Sequence, residues 1–395
     1  SQEVEKFDWM TDTYINTVIE HFVVDLDSAF NYWREEYDHL YQEGRQIDNH
    51  LLTIQGDWER QMRMGVIANK LEQMREGKSD WYTYRYLGSQ GFLPGYAFPP
   101  KSTYLSFYDS EDEISRDPTI ALSEYAPGNF IYYRGNTYKI SSARATTFNL
   151  TPTLQDVLIC PECDQVYLGE DDTNRARCDC GADLLTTHTE RGMALPNMGA
   201  YRVARISSDE EERRRLGYDI TTHHRGGGDM RHFRIKGQDG KTNKLILENN
   251  ANIFMMNHGM RQMDGNTLPF ALCSRCNKWL LSEKEVEEHP STVTRKGNCR
   301  ANANSEDIIR GFGLTHDLRC DVLLMDIPLP EEVDEKRFYR TLITALHRGI
   351  LIAFNLEERE IGYFLSKSPG QDTPYRMIFY ENTTGGTGCL TAMVD

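Results

Sequence analysis

Cys160-Pro-Glu-Cys163 is followed, fourteen residues later, by Cys178-Asp-Cys180. A second group opens with Cys273-Ser-Arg-Cys276 and continues through His289, Cys299 and Cys320. A Cys-x-x-Cys turn presents two thiolates to one ion, and zinc takes four such donors in a tetrahedron. Cys160, Cys163, Cys178 and Cys180 therefore read as one complete thiolate site, with Gly181 relieving the turn after the last ligand. A catalytic zinc keeps one position open for water, and this set does not, so the site reads as structural. In the second group Cys273, Cys276 and Cys299 are the expected ligands. The fourth is either His289, in a polar Glu-Glu-His-Pro turn, or Cys320, which opens an apolar run where a thiol is ordinary core filler. The cofactor expected is zinc, in two structural sites.

Weaker signals surround these. Gly385-Gly386-Thr387-Gly388 lies between a strand and a helix, where backbone N–H groups could cradle a phosphate. It lacks the Gly-Lys-Ser/Thr ending of a nucleotide loop, and reads better as a packing turn, with Glu381 or Thr383 as capping groups. Arg202, Arg205, Arg225, Arg231, Arg234 and Lys236, with His223, His224 and His232, could gather on one strand face as a nucleic-acid contact. A solvated face is the plainer reading, because Glu210, Glu211 and Glu212 offset the charge. The two adjacent histidines would point to opposite sides of a strand. Walker A, His-Glu-x-x-His, Gly-x-Ser-x-Gly and kinase signatures are all absent.

The elements that must hold these groups are α+β. Ile15, Val18, Ile19, Phe22, Leu26, Phe30, Trp33, Tyr37 and Leu40 form one helical stripe. Trp58, Met62, Ile67, Leu71 and Met74 form another that stops at Gly77, and the two are expected to pair as an N-terminal helical hairpin with the aromatics inward. Phe130 to Tyr133 and Thr137 to Ile140 flank a Gly-Asn turn and read as a hairpin in a small sheet or barrel. Strands are expected over 201–206, 217–222, 230–235, 244–247, 322–327 and 377–380, and a helix over 331–353. The expected divisions are a helical segment at 1–88, a β domain at 89–154, a zinc ribbon at 155–190, a β-rich segment at 191–270 and an α/β zinc-binding domain at 271–395.

Among 395 residues 39% are hydrophobic, and the net charge is −16. General polyanion binding needs many Lys and Arg contacts, so any nucleic acid must meet a local patch. The polar, acidic start carries no secretory signature, and no apolar run is long enough for a membrane helix. Eight of the nine cysteines fall in the two groups, which favours metal over disulfides and a reducing cytoplasm. The Ser1 start and the helix-like end at 391–395 read as a piece cut from a longer protein.

Four segments carry a resemblance: Phe92-Leu93-Pro94-Gly95-Tyr96-Ala97-Phe98-Pro99, Ala121-Leu122-Ser123-Glu124-Tyr125-Ala126-Pro127-Gly128, the group from Cys273, and Asp321-Val322-Leu323 through Gly385-Gly386-Thr387-Gly388. Over roughly residues 90–395 the chain resembles the region C-terminal to the motor in bacterial superfamily-two DEAD/DEAH-type helicases with an MrfA-type zinc-binding (MZB) domain, including DISARM DrmA-like phage-defence helicases. The resemblance implies a parent that hydrolyses ATP and moves along DNA. No motor residue lies in this chain, so the fragment itself is expected not to be an enzyme. It implies zinc binding at Cys273, Cys276 and Cys299, but not the extra site at Cys160. The implied role is to brace the motor and help engage nucleic acid or a partner subunit; the expected partners are the motor in cis or a defence-complex subunit, with DNA meeting a local basic patch. The alternatives are a stand-alone interaction scaffold of a defence complex, and a nuclease with an open second zinc site.

Overall fold

The computed structural model describes residues 12–48, 64, 67–68, 70–72, 74–77, 81–89, 92–93, 102–110, 112–144, 154–169, 173–203, 217–237, 242–289, 293–294, 297–299, 307–368, 373–382 and 388–394. Two compact units emerge, Ser1–Lys101 with Thr146–Phe148, and Ser102–Ala145 with Asn149–Asp395.

The first unit contains helices α1 (Asp12–Ala29), α2 (Asn31–Asp48) and α3 (Thr83–Ser89). The single stripe read across 15–40 is broken at Phe30. Tyr86 makes the break tolerable, because its hydroxyl accepts from Trp33 N at 3.0 Å and donates to Ala29 O at 2.8 Å. Backbone groups freed at a helix end need such partners. Leu26, Phe30 and Trp33 pack around Tyr86 and Leu87, while Leu40, Ile67 and Met74 are buried together beside Tyr37 and Leu71. Ile19 and Phe22, read as core, are instead exposed. Trp58 and Met62 lie outside the described residues.

The second unit opens with β1 (Thr103–Phe107), β2 (Glu113–Arg116), α4 (Pro118–Glu124), β3 (Phe130–Tyr133), β4 (Asn136–Arg144), β5 (Leu154–Ile159), β6 (Val166–Leu168), β7 (Glu190–Ala194) and β8 (Asn197–Val203). It continues with β9 (Tyr218–Gly226), β10 (Asp229–Lys236), β11 (Thr242–Arg261), β12 (Thr267–Leu268), β13 (Phe270–Cys273), β14 (Trp279–Leu280), α5 (Glu283–Glu288), β15 (Val293–Thr294), β16 (Gly297–Asn298), β17 (Ile308–Asp326), α6 (Glu335–Phe354), β18 (Ile361–Lys367), β19 (Tyr375–Glu381) and α7 (Cys389–Val394). The result is α+β and mostly strand. A five-stranded sheet runs β2-β1-β8-β4-β3, and a larger half-barrel sheet is built around β10-β11-β17-β7-β5-β6.

Two long antiparallel strands, β11 and β17, form the spine. Register shifts between Glu248↔Val322 and Ala251↔Cys320, where Asn250 takes a left-handed conformation at φ 56°. Side chains alternate in a strand, so one extra residue exchanges the faces. Ile246 before the bulge and Ala251, Ile253 and Met255 after it consequently face the same core. That core lies between the two sheets and includes Leu105, Ile140, Leu314 and Val322. The opposite face of the spine, with Leu245, Leu247, Leu323 and Met325, packs on Tyr339, Ile343 and Ile350 of α6 and Leu390 of α7. The sandwich follows from apolar residues on both faces of a central strand pair.

The Ala121–Gly128 segment is a wedge in the first of these cores. Tyr125 is fully buried, and its hydroxyl donates to Ile114 O at 3.2 Å. Asn257, also buried, donates to Leu122 O at 2.8 Å. Gly128 has φ +87°, and a Cβ there would lie 2.6 Å from Leu281 Cδ1, so both conformation and space require glycine.

Candidate metal centres

The first centre grows out of the β5–β6 hairpin. Cys160 directly follows β5, and Cys160 N donates to Gln165 O at 2.9 Å while Asp164 N donates to Cys160 O at 3.0 Å. Asp164, at φ 57°, turns the chain back into β6. Cys178 N donates to Ala182 O, and Gly181 N to Cys178 O, closing a second small turn. Gly181 has φ +93°, the conformational role read from sequence.

These turns bring Cys160, Cys163, Cys178 and Cys180 together, with every pair of sulfurs within 4.8 Å. Cys160 Sγ lies 3.7 Å from Cys180 Sγ, and Cys163 Sγ 3.4 Å from Cys178 Sγ. A disulfide would need about 2.05 Å. A tetrahedral ion with metal–sulfur bonds of about 2.3 Å sets sulfurs about 3.8 Å apart, close to what is found. Tyr167 Oη donates to Cys178 Sγ at 3.2 Å and accepts from Asp179 N at 3.2 Å. Burial pushes the Cys178 thiol up, but hydrogen bonds from Tyr167 and the Cys180 backbone outweigh it and bring it down to about 7.

The second centre repeats the first half of this design. Cys273 ends β13, Cys273 N donates to Lys278 O at 3.0 Å, and Asn277 N donates to Cys273 O at 2.8 Å. Asn277, at φ 59°, returns the chain to β14. The remaining donors arrive differently. Ser282 caps α5, its side chain accepting from Glu285 N at 3.1 Å, while Glu285 Oε2 accepts from Leu281 N at 3.0 Å. The helix then delivers His289 as its C-cap residue, fully buried. Cys299 follows the β15–β16 pair.

Cys273, Cys276, His289 and Cys299 lie with their donor atoms within 4.8 Å of one another. Cys273 Sγ is 3.8 Å from Cys299 Sγ, and Cys276 Sγ is 3.5 Å from His289 Nε2. The shorter sulfur–nitrogen edge is what a metal–nitrogen bond of about 2.0–2.1 Å requires. A hydrogen bond from Cys276, acting against burial, brings the Cys273 thiol down to about 5; Cys276 is pushed up by the same bond. Both donor sets could hold a metal ion, and their soft, buried chemistry fits one. Cys320 is elsewhere, buried in β17 opposite Ala251, with its thiol pushed up by burial.

The other sequence signals scatter. Arg225 pairs with Asp317 at 3.2 Å. His223 is buried with Nδ1 3.2 Å from Asp164 O, and His224 Nε2 lies 2.7 Å from the buried Glu248 carboxylate. Arg202 is exposed on β8, while Arg231, His232, Arg234 and Lys236 lie on β10. Arg205, Thr383 and Gly385 to Thr387 lie outside the described residues. Gly388 N and Leu390 N donate to the Glu381 carboxylate at 2.9 and 3.0 Å. An internal carboxylate thus takes donors that a phosphate would have used. Sequence reasoning placed His289 in a loop and overlooked Tyr167; the Ser282-x-x-Glu285 capping box was the available signal for α5.

No protein-family model and no curated protein matches the chain. A search of solved structures returns the DUF1998 helicase MrfA bound to DNA, at 7% identity and a TM-score of 0.30, over 74% of this chain and 28% of that one. It also returns MrfA bound to DNA and AMPPNP, at 5% identity and a TM-score of 0.24, over 74% of this chain and 25% of that one. The chain thus spans about a quarter of the helicases returned. They carry the name reached from the sequence segments, but likeness this slight carries no structural argument.

Proposed function

We propose that this chain is a zinc-stabilised, non-catalytic accessory region of an ATP-dependent DNA helicase in bacterial phage defence. It braces the motor in cis and helps hold DNA or a partner subunit. The observation that carries the structural role is the pair of four-donor clusters, each already complete without water or substrate. The helicase context is supported by the sequence segments at 92–99, 121–128 and 321–388. In this reading zinc is held by Cys160, Cys163, Cys178 and Cys180, and by Cys273, Cys276, His289 and Cys299. When bound it supplies cross-linking and no chemistry. The N-terminal helices form a hairpin, the chain divides at about 88, 154, 190 and 270, and the thiols are kept reduced in the cytoplasm.

A second reading, a stand-alone scaffold subunit, is favoured by the net charge of −16, which suits a basic protein partner better than DNA. One experiment separates the two. The purified chain is mixed at low salt with single- and double-stranded DNA and, separately, with the motor and with other subunits of the defence complex. Binding to either supports the accessory reading; a stable complex with another defence subunit and no DNA binding selects the scaffold. Nuclease activity abolished by a chelator would overturn both.

A further inference from the structure

Among the described strands β10 stands at an edge of the larger sheet. It pairs with β11 along its whole length, from Asp229↔Asn249 to Lys236↔Thr242, and with no other described strand. Seven of its eight residues are exposed, with Phe233 half-buried. An edge strand carries a row of backbone N–H and C=O groups open to pairing.

Register sorts its side chains. Met230, His232, Arg234 and Lys236 share the face of Ile246 and the exposed Lys244, whereas Arg231, Phe233 and Ile235 share the face of Leu245 and Leu247. Alternate residues recur at about 6.8 Å, the repeat of side chains on any strand laid alongside. One face therefore carries Arg234 and Lys236 beside Lys244, with the imidazole of His232 next along, within a chain of net charge −16, and Asp229 is the only carboxylate on β10. Charged edges commonly serve to block unwanted pairing. A purely protective edge has no need to show apolar groups, yet Met230 and Ile235 are each 52% exposed.

We propose that β10 receives an extended acidic segment of a partner protein as an added strand. Its alternate carboxylates lie along His232, Arg234 and Lys236, and its intervening apolar side chains along Phe233 and Ile235. The site stands apart from both metal centres and rests on the accessory or scaffold reading only in requiring a protein partner. A peptide suits this edge better than nucleic acid, because a strand satisfies both backbone donors and acceptors while covering the apolar groups. Phosphates would use the cations and leave the carbonyls and Ile235 uncovered.

The test uses the whole chain and a fluorescent peptide alternating Glu and Val. Controls are a peptide of the same composition in blocks, the alternating peptide N-methylated at every second backbone nitrogen along its pairing edge, and oligothymidine. The alternating peptide should bind at least about tenfold tighter than the block peptide, and N-methylation should abolish binding. The double variant R234E/K236E should weaken it at least about tenfold while keeping the zinc content of the unaltered chain. Equal binding of alternating and block peptides, or indifference to N-methylation, would overturn the proposal. Oligothymidine binding more tightly than the alternating peptide, and lost in R234E/K236E, would overturn it in favour of nucleic acid. Missing zinc in the unaltered chain counts against the zinc-stabilised function proposed above instead, and is read separately from the peptide titration.

Discussion

The two candidate metal centres share one half and differ in the other. In each, a strand ends in a Cys-x-x-Cys turn, a left-handed residue follows the second cysteine, and the same two backbone hydrogen bonds close the loop. Their second halves diverge. A tight Cys178-Asp-Cys180 turn completes the first, whereas a capped helix and a later cysteine complete the second. Their docking differs as well. Asp164 Oδ2 accepts from Lys367 N at 2.9 Å and Ser366 Oγ donates to Cys163 O at 3.3 Å, tying the first turn to β18. The second turn is tied to β4 by Ala143 N donating to Asn277 O, and to the start of β17 by Arg275 Nε reaching Asp307 Oδ2 at 2.6 Å. The Cys-x-x-Cys turn is thus a transferable unit, and its neighbours decide what each ion would hold together.

Removing one thiolate from either centre should have the largest effect, because metal binding of about 10–16 kcal/mol in small zinc modules is also folding energy. Cys163→Ser should lower zinc from two ions per chain to one and open residues 160–184 to protease. Cys276→Ser should also lose one ion, with cleavage moved to 281–299. Metal analysis and mass-spectrometric mapping of limited proteolysis check both. If either variant keeps two ions and full protection, the pair of centres is misassigned.

The next test exchanges the one ligand that differs in kind. His289 Nε2 faces Cys276, while its buried Nδ1 makes no hydrogen bond among the described residues. Metal-bound imidazoles ordinarily donate that second N–H to a neighbour. Imidazole is therefore replaceable here: His289→Cys should retain two ions per chain, and His289→Ala should retain one. Loss of zinc in both variants would mean that the helix-delivered geometry demands imidazole.

The first half of each centre was legible because Cys-x-x-Cys has local geometry that needs no distant partner. The sequence favoured His289 over Cys320, from its polar turn and the apolar run at Cys320, but did not show the means of its delivery: β17 carries Cys320 into the core beside Ala251 while α5 carries His289 inward. In the fold, the hairpin of 130–133 with 137–140 was visible from its turn, though its second strand runs on to Arg144, and α6 was visible from its apolar period. Of the 20-residue β11 only 244–247 was read as strand, because Asn249 and Asn250 interrupt alternation at a bulge that restores it one residue later. Phe30 sits mid-stripe, and nothing local announces that Tyr86, 56 residues away, will take up the broken helix bonds.

A smaller effect should distinguish the centres by their surroundings. Tyr167 is 5% exposed and donates to Cys178. Tyr167→Phe keeps the packing and removes the donor. Outer hydrogen bonds of this kind are typically worth about 10–100-fold in metal affinity. The variant should keep two ions in buffer but release the first to a competing chelator at correspondingly lower chelator concentration, with the second unaffected. Equal release from both centres would assign Tyr167 to packing alone.

The smallest expected effect compares the left-handed residues themselves. Left-handed backbone costs an ordinary residue about 1–2 kcal/mol, less for Asp and Asn, and costs glycine little. Asn277 has a buried Oδ1 with no hydrogen bond among the described residues, so Asn277→Gly removes strain and an unsatisfied oxygen together. It should stabilise the zinc-loaded chain by about 0.5 kcal/mol, after glycine's added unfolded-state freedom is set against the gain. Asp164→Gly relieves similar strain but loses the acceptor of Lys367 N, a bond worth about 1 kcal/mol net. It should destabilise by about 0.5 kcal/mol. Thermal midpoints of the two variants should therefore move in opposite directions. Stabilisation by both variants would mean that the bond to Lys367 N contributes nothing, and that the first turn is held to β18 by Ser366 and Lys367 Nζ, which reaches Pro161 O at 2.6 Å.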